Sequence, residues 1–225
     1  MRIISDKKEL VKLCSFIIMG DGGVYYNSKG TGNCHFMMNT RKDNLDYVNL
    51  CAHILANVTG VKVQDRYMSN NDGCKRKEQV TLSTPKHPFF TQLRERIYTD
   101  KYKGIDPHAL KLLDFESLSF LYMSDGCLSV DFRPENRMVN PSYNVTLNMK
   151  RLSYGDQLLL KKALKEKLDL EFNVMRHGKY YYLRLRTKDV QKFMDGIRQY
   201  ITPSFSYKIL DEVPLKSDSK GGDIV

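Results

Sequence analysis

Two stretches of this chain end an apolar run in an acid followed by glycine: S-F-I-I-M-G-D-G-G at residues 15–23 and S-F-L-Y-M-S-D-G-C at residues 119–127. Their acids, Asp21 and Asp125, are separated by close to half of the 225 residues. A repeat at that distance constrains the fold more than any other feature, because each half must then be built the same way.

The rest of the sequence is consistent with two such halves. In the first, Leu10, Leu13, Phe16, Ile17 and Met19 recur at helical spacing. Extended stretches V-Y-Y and N-C-H-F-M-M-N-T follow, then a helix over 44–58, strands at 61–67 and 79–84, and a helix over 87–98. The second half repeats the order: helix 114–124, strands 127–132 and 142–149, helix 154–168, strands 171–176 and 180–186, and helix 189–200. The reading is α+β, two αββαββα repeats at 1–103 and 113–212 with a linker at 104–112, where Gly104 and Pro107 break the pattern. The polar, glycine-rich residues 213–225 are expected as a disordered end.

Hydrophobic residues make up 41% of the chain, enough for a folded core. The longest strongly apolar run, residues 16–19, falls far short of the ~20 residues of a membrane span. The N-terminal M-R-I-I-S-D-K-K-E-L lacks the apolar h-region of a secretory signal. Five cysteines without a C-x-x-C pair argue against a zinc ribbon or disulfide framework and for a reducing compartment. A net charge of +10 favours a polyanionic partner.

Strand alternation narrows that partner. Val145, Leu147, Val80, Leu82, Leu183 and Leu185 can face a core, as can Val61 and Val63. The opposite faces then carry Asn144, Thr146, Asn148, Gln79, Thr81, Lys62, Gln64, Arg66, Tyr180, Tyr182, Arg184 and Arg186. An ordinary half-solvated sheet also alternates, but would mix in more acids. Arg, Asn and Gln suit hydrogen bonding to base edges in the DNA major groove. Lys75, Arg76 and Lys77, on a polar loop, suit phosphates instead.

The two acids need an explanation of their own. A carboxylate at the C-terminal end of a helix meets the negative end of the helix dipole, so something positive should compensate it. A hard divalent cation such as Mg²⁺, bound through carboxylate and carbonyl oxygens, fits. Two acids on helices packed side by side could then hold metals beside two phosphates. A lone Asp-Gly is more simply a helix-ending turn; a matched pair in a repeat favours function.

At these residues the sequence resembles the LAGLIDADG homing endonucleases, in their single-chain form with two motifs. Residues 14–22, C-S-F-I-I-M-G-D-G, and 118–126, L-S-F-L-Y-M-S-D-G, each lie over the nine-residue signature. Asp21 and Asp125 fall on its second acid, the metal-binding catalytic carboxylate of the family, and Gly20 and Ser124 keep the small residue before it. Phe16 and Phe120 stand where the signature has glycine, and Met19 and Met123 replace its first acid. The family also carries a basic residue near each centre; Lys208, in I-R-Q-Y-I-T-P-S-F-S-Y-K-I, and Lys103, in K-Y-K-G-I-D-P, lie at matching places. Such a lysine would stabilise charge on the phosphate or orient water.

The resemblance implies motif helices packed centrally under a saddle of two four-stranded antiparallel sheets. It implies a monomer that cuts a long asymmetric double-stranded DNA site and leaves short 3′ overhangs. Metal ligands would be Asp21, Asp125, Gly20 and Ser124, with Mg²⁺ as cofactor, Mn²⁺ substituting, and Ca²⁺ supporting binding without cleavage. Two other functions stay open on this fold: an RNA maturase assisting a group I intron, and a non-catalytic DNA-binding repressor. The resemblance allows a mitochondrial or chloroplast setting as well as cytoplasm or nucleoid. His35, His53, His87, His108 and His177 form no H-x-x-x-H or H-E-x-x-H pattern, and neither a Walker A sequence nor G-x-S-x-G is present.

Overall fold

The computed structural model describes residues 3–26, 32–66, 78–131 and 142–210. The first half runs α1 (Lys7–Met19), β1 (Gly23–Tyr25), β2 (His35–Arg41), α2 (Leu45–Leu55), β3 (Lys62–Arg66), β4 (Gln79–Ser83) and α3 (Pro88–Ile97). A short hairpin, β5 (Tyr98–Thr99) and β6 (Tyr102–Lys103), and one helical turn, α4 (Pro107–Leu110), lead to the second half. That half runs α5 (Phe115–Asp125), β7 (Gly126–Asp131), β8 (Ser142–Leu147), α6 (Tyr154–Leu168), β9 (Phe172–His177), β10 (Tyr180–Leu185) and α7 (Val190–Ile197). The strand orders β1-β2-β4-β3 and β7-β8-β10-β9 are the same, and every pairing is antiparallel.

Helix α1 starts at Asp6, whose carboxylate accepts from the Lys8 N–H at 2.8 Å. From Lys12 to Met19 every residue of α1 is buried, and in α5 the same holds from Ser117 to Met123. A helix apolar on all sides belongs in the middle of a core. The two motif helices pack on each other there. Each sheet turns its apolar rows inward: Phe36, Met38, Val80 and Leu82 in one, Val145, Leu147, Leu183 and Leu185 in the other, all 2% exposed or less. Val63, expected on the inner face, is 39% exposed because β3 is an edge strand.

The expected linker is packed into the core. Asp106 is fully buried; it caps α4 through the His108 N–H (2.9 Å), accepts from Ser15 Oγ of α1 (2.9 Å), and pairs with Arg96 of α3 at 2.7 Å. Beside it, Ile105, Ala109 and Leu110 are buried. Lys12 of α1 is also buried, pairing with Asp114 at the start of α5 and with Glu9 at 2.7 Å. Helix α2 stops earlier than expected because Asn57 turns back: its Nδ2 donates to the carbonyls of His53 (2.9 Å) and Ile54 (3.2 Å). Cys14, Cys34, Cys51 and Cys127 are free, the first three buried. Among the described residues no helix is long and apolar enough to cross a membrane. The expected disordered end lies outside the described residues, as do Lys75, Arg76 and Lys77.

Candidate active site

The site is built where α1 and α5 end together. A Cβ on Gly20 would lie 2.6 Å from Ser124 Oγ, so the helices approach as closely as they do because residue 20 has no side chain. Asp21 follows two residues after the last residue of α1, and Asp125 is the last residue of α5. The two carboxylates feel each other. Burial is the first reason that Asp21 titrates above the ordinary carboxylate range, and the charge of Asp125 is the second; Lys103, Arg151 and Lys208 oppose both. Asp21 nonetheless keeps an exposed edge, on a cavity of about 350 Å³ shared with Arg41, Asn44, Ser124, Tyr207 and Lys208.

The negative helix ends are compensated by the protein's own cations. Lys103 Nζ donates to the carbonyls of Ile18 (2.8 Å), Gly20 (2.8 Å) and Gly22 (2.6 Å), using all three ammonium protons on the end of α1. Lys208 Nζ does the same for α5, donating to Met123 O (2.7 Å) and Tyr122 O (3.2 Å). It is held in place by the Phe205 ring, 5.0 Å away, and by the Tyr122 hydroxyl, which donates to Lys208 O at 2.7 Å. Burial pushes Lys103 down to about 7, and the neighbouring Arg151 charge pushes the same way. Burial also lowers Lys208, against the pull of Asp21 and Asp125.

A third cation was missed in the sequence. Arg151, in the turn before α6, donates through Nη2 to Met19 O and to Gly20 O (3.3 Å) and lies 3.1 Å from Asp125 Oδ2. It reaches α1 across the two halves, and no spacing in the sequence signals that contact. Asp125 Oδ2 is buried and, among the described residues, accepts no hydrogen bond, with the arginine beside it outside hydrogen-bond geometry. An orphaned carboxylate oxygen, a second carboxylate and the helix-end carbonyls of Gly20 and Ser124 form a hard oxygen set of the kind Mg²⁺ takes. Among the described residues no group of three or more His, Cys, Asp or Glu side chains gathers, so an ion held here would rest on two carboxylates and backbone carbonyls.

The strand-face residues form rows across each sheet. Gln64 pairs with Thr81 and Thr81 with Asn39, whose Oδ1 accepts from Thr81 Oγ1 at 2.6 Å. Arg66 is in register with Gln79, and Gln79 with Arg41. Lys62 and Gln64 are exposed, Gln79 and Thr81 half-buried. Asn39 and Arg41, both exposed, extend these rows and were not singled out in the sequence. In the second sheet Arg184 lies opposite Thr146, Tyr180 is exposed, and Tyr182 is half-buried. Three residues depart from the expected pattern. Asn144 is only 5% exposed and accepts from Arg184 Nη2, so it positions that arginine from behind. Arg186 lies beyond the end of β10, where its guanidinium pairs with Glu171. Asn148 belongs to the site rather than the strand: its N–H donates to Asp125 O at 2.8 Å and its Nδ2 to Thr146 Oγ1 at 3.1 Å.

Comparison with known proteins agrees with this architecture. The model of the LAGLIDADG DNA endonuclease family matches residues 17–193. The homing endonuclease I-WcaI, solved bound to its DNA recognition sequence, superposes with a TM-score of 0.73 at 18% identity, covering 92% of this chain and 88% of that one. A variant of I-DmoI, solved with its target DNA in the presence of magnesium, gives a TM-score of 0.51 at 13% identity, over 85% of this chain and 96% of that one. An uncharacterized protein of Methanocaldococcus jannaschii is 32% identical over 57% of this chain and 47% of its own length. Protein RecA of Mycolicibacterium flavescens is 26% identical over 92% of this chain and 47% of its own length. The chain thus spans about half the length of these curated relatives.

Proposed function

The chain belongs to the LAGLIDADG DNA endonuclease family, and from that premise we propose that it is a monomeric, site-specific homing endonuclease. It hydrolyses one phosphodiester bond on each strand of a long asymmetric duplex site, leaving short 3′ overhangs, with Mg²⁺ as cofactor. The observation that carries this reading is the meeting of Asp21 and Asp125 at the ends of two helices that touch through Gly20 and Ser124. One chain therefore holds two acids in related settings, one for each strand.

When bound, divalent metal supplies an activated water and a positive charge for the leaving oxygen. Asp21 and Asp125 would hold it, with the Gly20 and Ser124 carbonyls. The chain's own part is positional. Lys103 and Lys208 fix the ends of the motif helices and keep positive charge within reach of the phosphate. Polar rows on the strands, among them Gln64–Thr81–Asn39 and Arg184–Thr146, would meet base edges, and the net charge of +10 would favour the phosphate backbone. Mn²⁺ is proposed to replace Mg²⁺, and Ca²⁺ to support binding alone.

The test is cleavage of a randomised duplex pool in Mg²⁺, with Ca²⁺ and EDTA as controls and the cut ends sequenced. Cuts at one long recurring site in Mg²⁺ alone support the reading. Selective duplex binding with no cutting in any metal refutes the nuclease and leaves a DNA-binding protein.

A further inference from the structure

One nitrogen of Arg151 touches both halves of the site. Nη2 lies 3.1 Å from Asp125 Oδ2, at the end of α5, and 3.3 Å from Gly20 O, at the end of α1. On the reading above, which this inference rests on, those two oxygens are metal ligands contributed by different helices. A cation placed to reach both holds the position a divalent ion needs. We propose that Arg151 is a latch on metal binding: its guanidinium, anchored by hydrogen bonds to Met19 O and Gly20 O, stands against the Asp125 carboxylate as a counter-charge until a divalent cation displaces it.

Two further observations fit a latch on one position only. The opposite ligand pair, Asp21 carboxylate and Ser124 carbonyl, shares its cavity with Arg41, but that guanidinium is paired with Asp43 at 3.0 Å, and Lys208 donates to Tyr122 O and Met123 O, stopping one residue short of Ser124. In the first half, the turn between β2 and α2 offers Lys42, but it faces outward to Asp65 and Glu78, each at 3.1 Å. Arg151 can also leave without opening the core, since its side chain is 31% exposed and stands on a turn. The two metal positions are therefore unequal, and the one at Asp125 and Gly20 fills second.

Mn²⁺ binding to the protein alone, followed by electron paramagnetic resonance and calorimetry, tests this without any cleavage assay. Arg151→Met should tighten the weaker class of Mn²⁺ binding about tenfold, or ~1.4 kcal/mol. Removing any positive charge nearby would help a metal somewhat, so the variant is repeated in two backgrounds. With Asp21→Asn the gain should persist; with Asp125→Asn it should shrink to less than about twofold, because the latched carboxylate is gone. Equal gains in both backgrounds, or no gain in the wild-type background, overturn the latch while leaving the metal-dependent reading intact. Absence of Mn²⁺ binding in both wild type and Arg151→Met, with both folded, overturns the two together. Should Arg151→Met fail to fold, Arg151→Lys, which keeps a cation without the guanidinium fork, should tighten binding by about two- to fourfold; an unchanged affinity overturns the latch.

Discussion

Replacing Gly20 with alanine tests how the two motif helices meet. The added Cβ would lie 2.6 Å from Ser124 Oγ, 3.2 Å from Ser124 Cβ and 3.4 Å from Phe16 O. The hydroxyl cannot step aside freely, since it donates to Phe120 O at 2.9 Å and Leu121 O at 3.2 Å. Overpacking of this kind costs about 1–3 kcal/mol. For a chain of this size that lowers the melting temperature by roughly 2–4 °C per kcal/mol. The diagnostic is a double-mutant cycle read by urea denaturation. Ser124→Ala removes the atom at 2.6 Å and gives up only hydrogen bonds to its own helix, so alone it should cost little. In that background Gly20→Ala should be milder by about 1 kcal/mol, a coupling within the range for touching residues. Additivity within about 0.5 kcal/mol would mean that the helices do not meet where Gly20 and Ser124 place them.

Other outcomes follow from the same geometry. Asp21→Asn and Asp125→Asn should each block cutting of one strand and leave DNA binding in place; full double-strand cleavage by either variant would defeat the assignment. Lys208→Met should slow single-turnover cleavage by roughly 10²-fold while affinity for duplex holds, and a drop in affinity alone would contradict its place at the site. Burial pulls Asp114 upward, but Lys12 and the Ser117 N–H outweigh it and hold its carboxyl below 3.8. A depressed acid contributes stability that is present above 3.8 and lost as pH falls through its folded value. Asp114→Asn keeps the helix cap but loses the Lys12 pair, so it should cost about 1 kcal/mol at neutral pH, discounted for Asp114's exposure. That deficit should close in acid, and a constant deficit in urea midpoints from pH 7 to 3 would refute the pairing. The logarithm of DNA affinity should fall with log[salt] by roughly 0.9 per phosphate contact, and a flat plot would remove the electrostatic interface.

The architecture was legible because its signals are local and occur twice. Alternation at Val145 and Leu147 or at Val80 and Leu82 gives the buried face of a strand, and these positions are fully buried. The paired acid-glycine ends located α1 and α5, since a helix stop is written in adjacent residues. What escaped was everything decided across the chain. The reasoning that a helix-end acid needs a compensating positive charge was sound, yet Lys103, Lys208 and Arg151 supply much of it themselves. Arg151 meets Met19 and Gly20 from the far half of the sequence, so no window contains both partners. Asn144 looked like a reader of bases because alternation assigns a face and not a depth, and depth is set by Arg184 on the neighbouring strand.

Gly20 against Ser124 also says which half of this chain could live with a copy of itself. Each motif helix is buried on all sides, so either half severed from the other would turn one wall of the shared core to water. Only a second copy in the same place could cover it again. Two first halves related by a twofold axis would set Gly20 opposite Gly20, with room to spare. Two second halves would set Ser124 opposite Ser124, and their hydroxyls would contend for space that the present pairing keeps clear by having a side chain on one helix only.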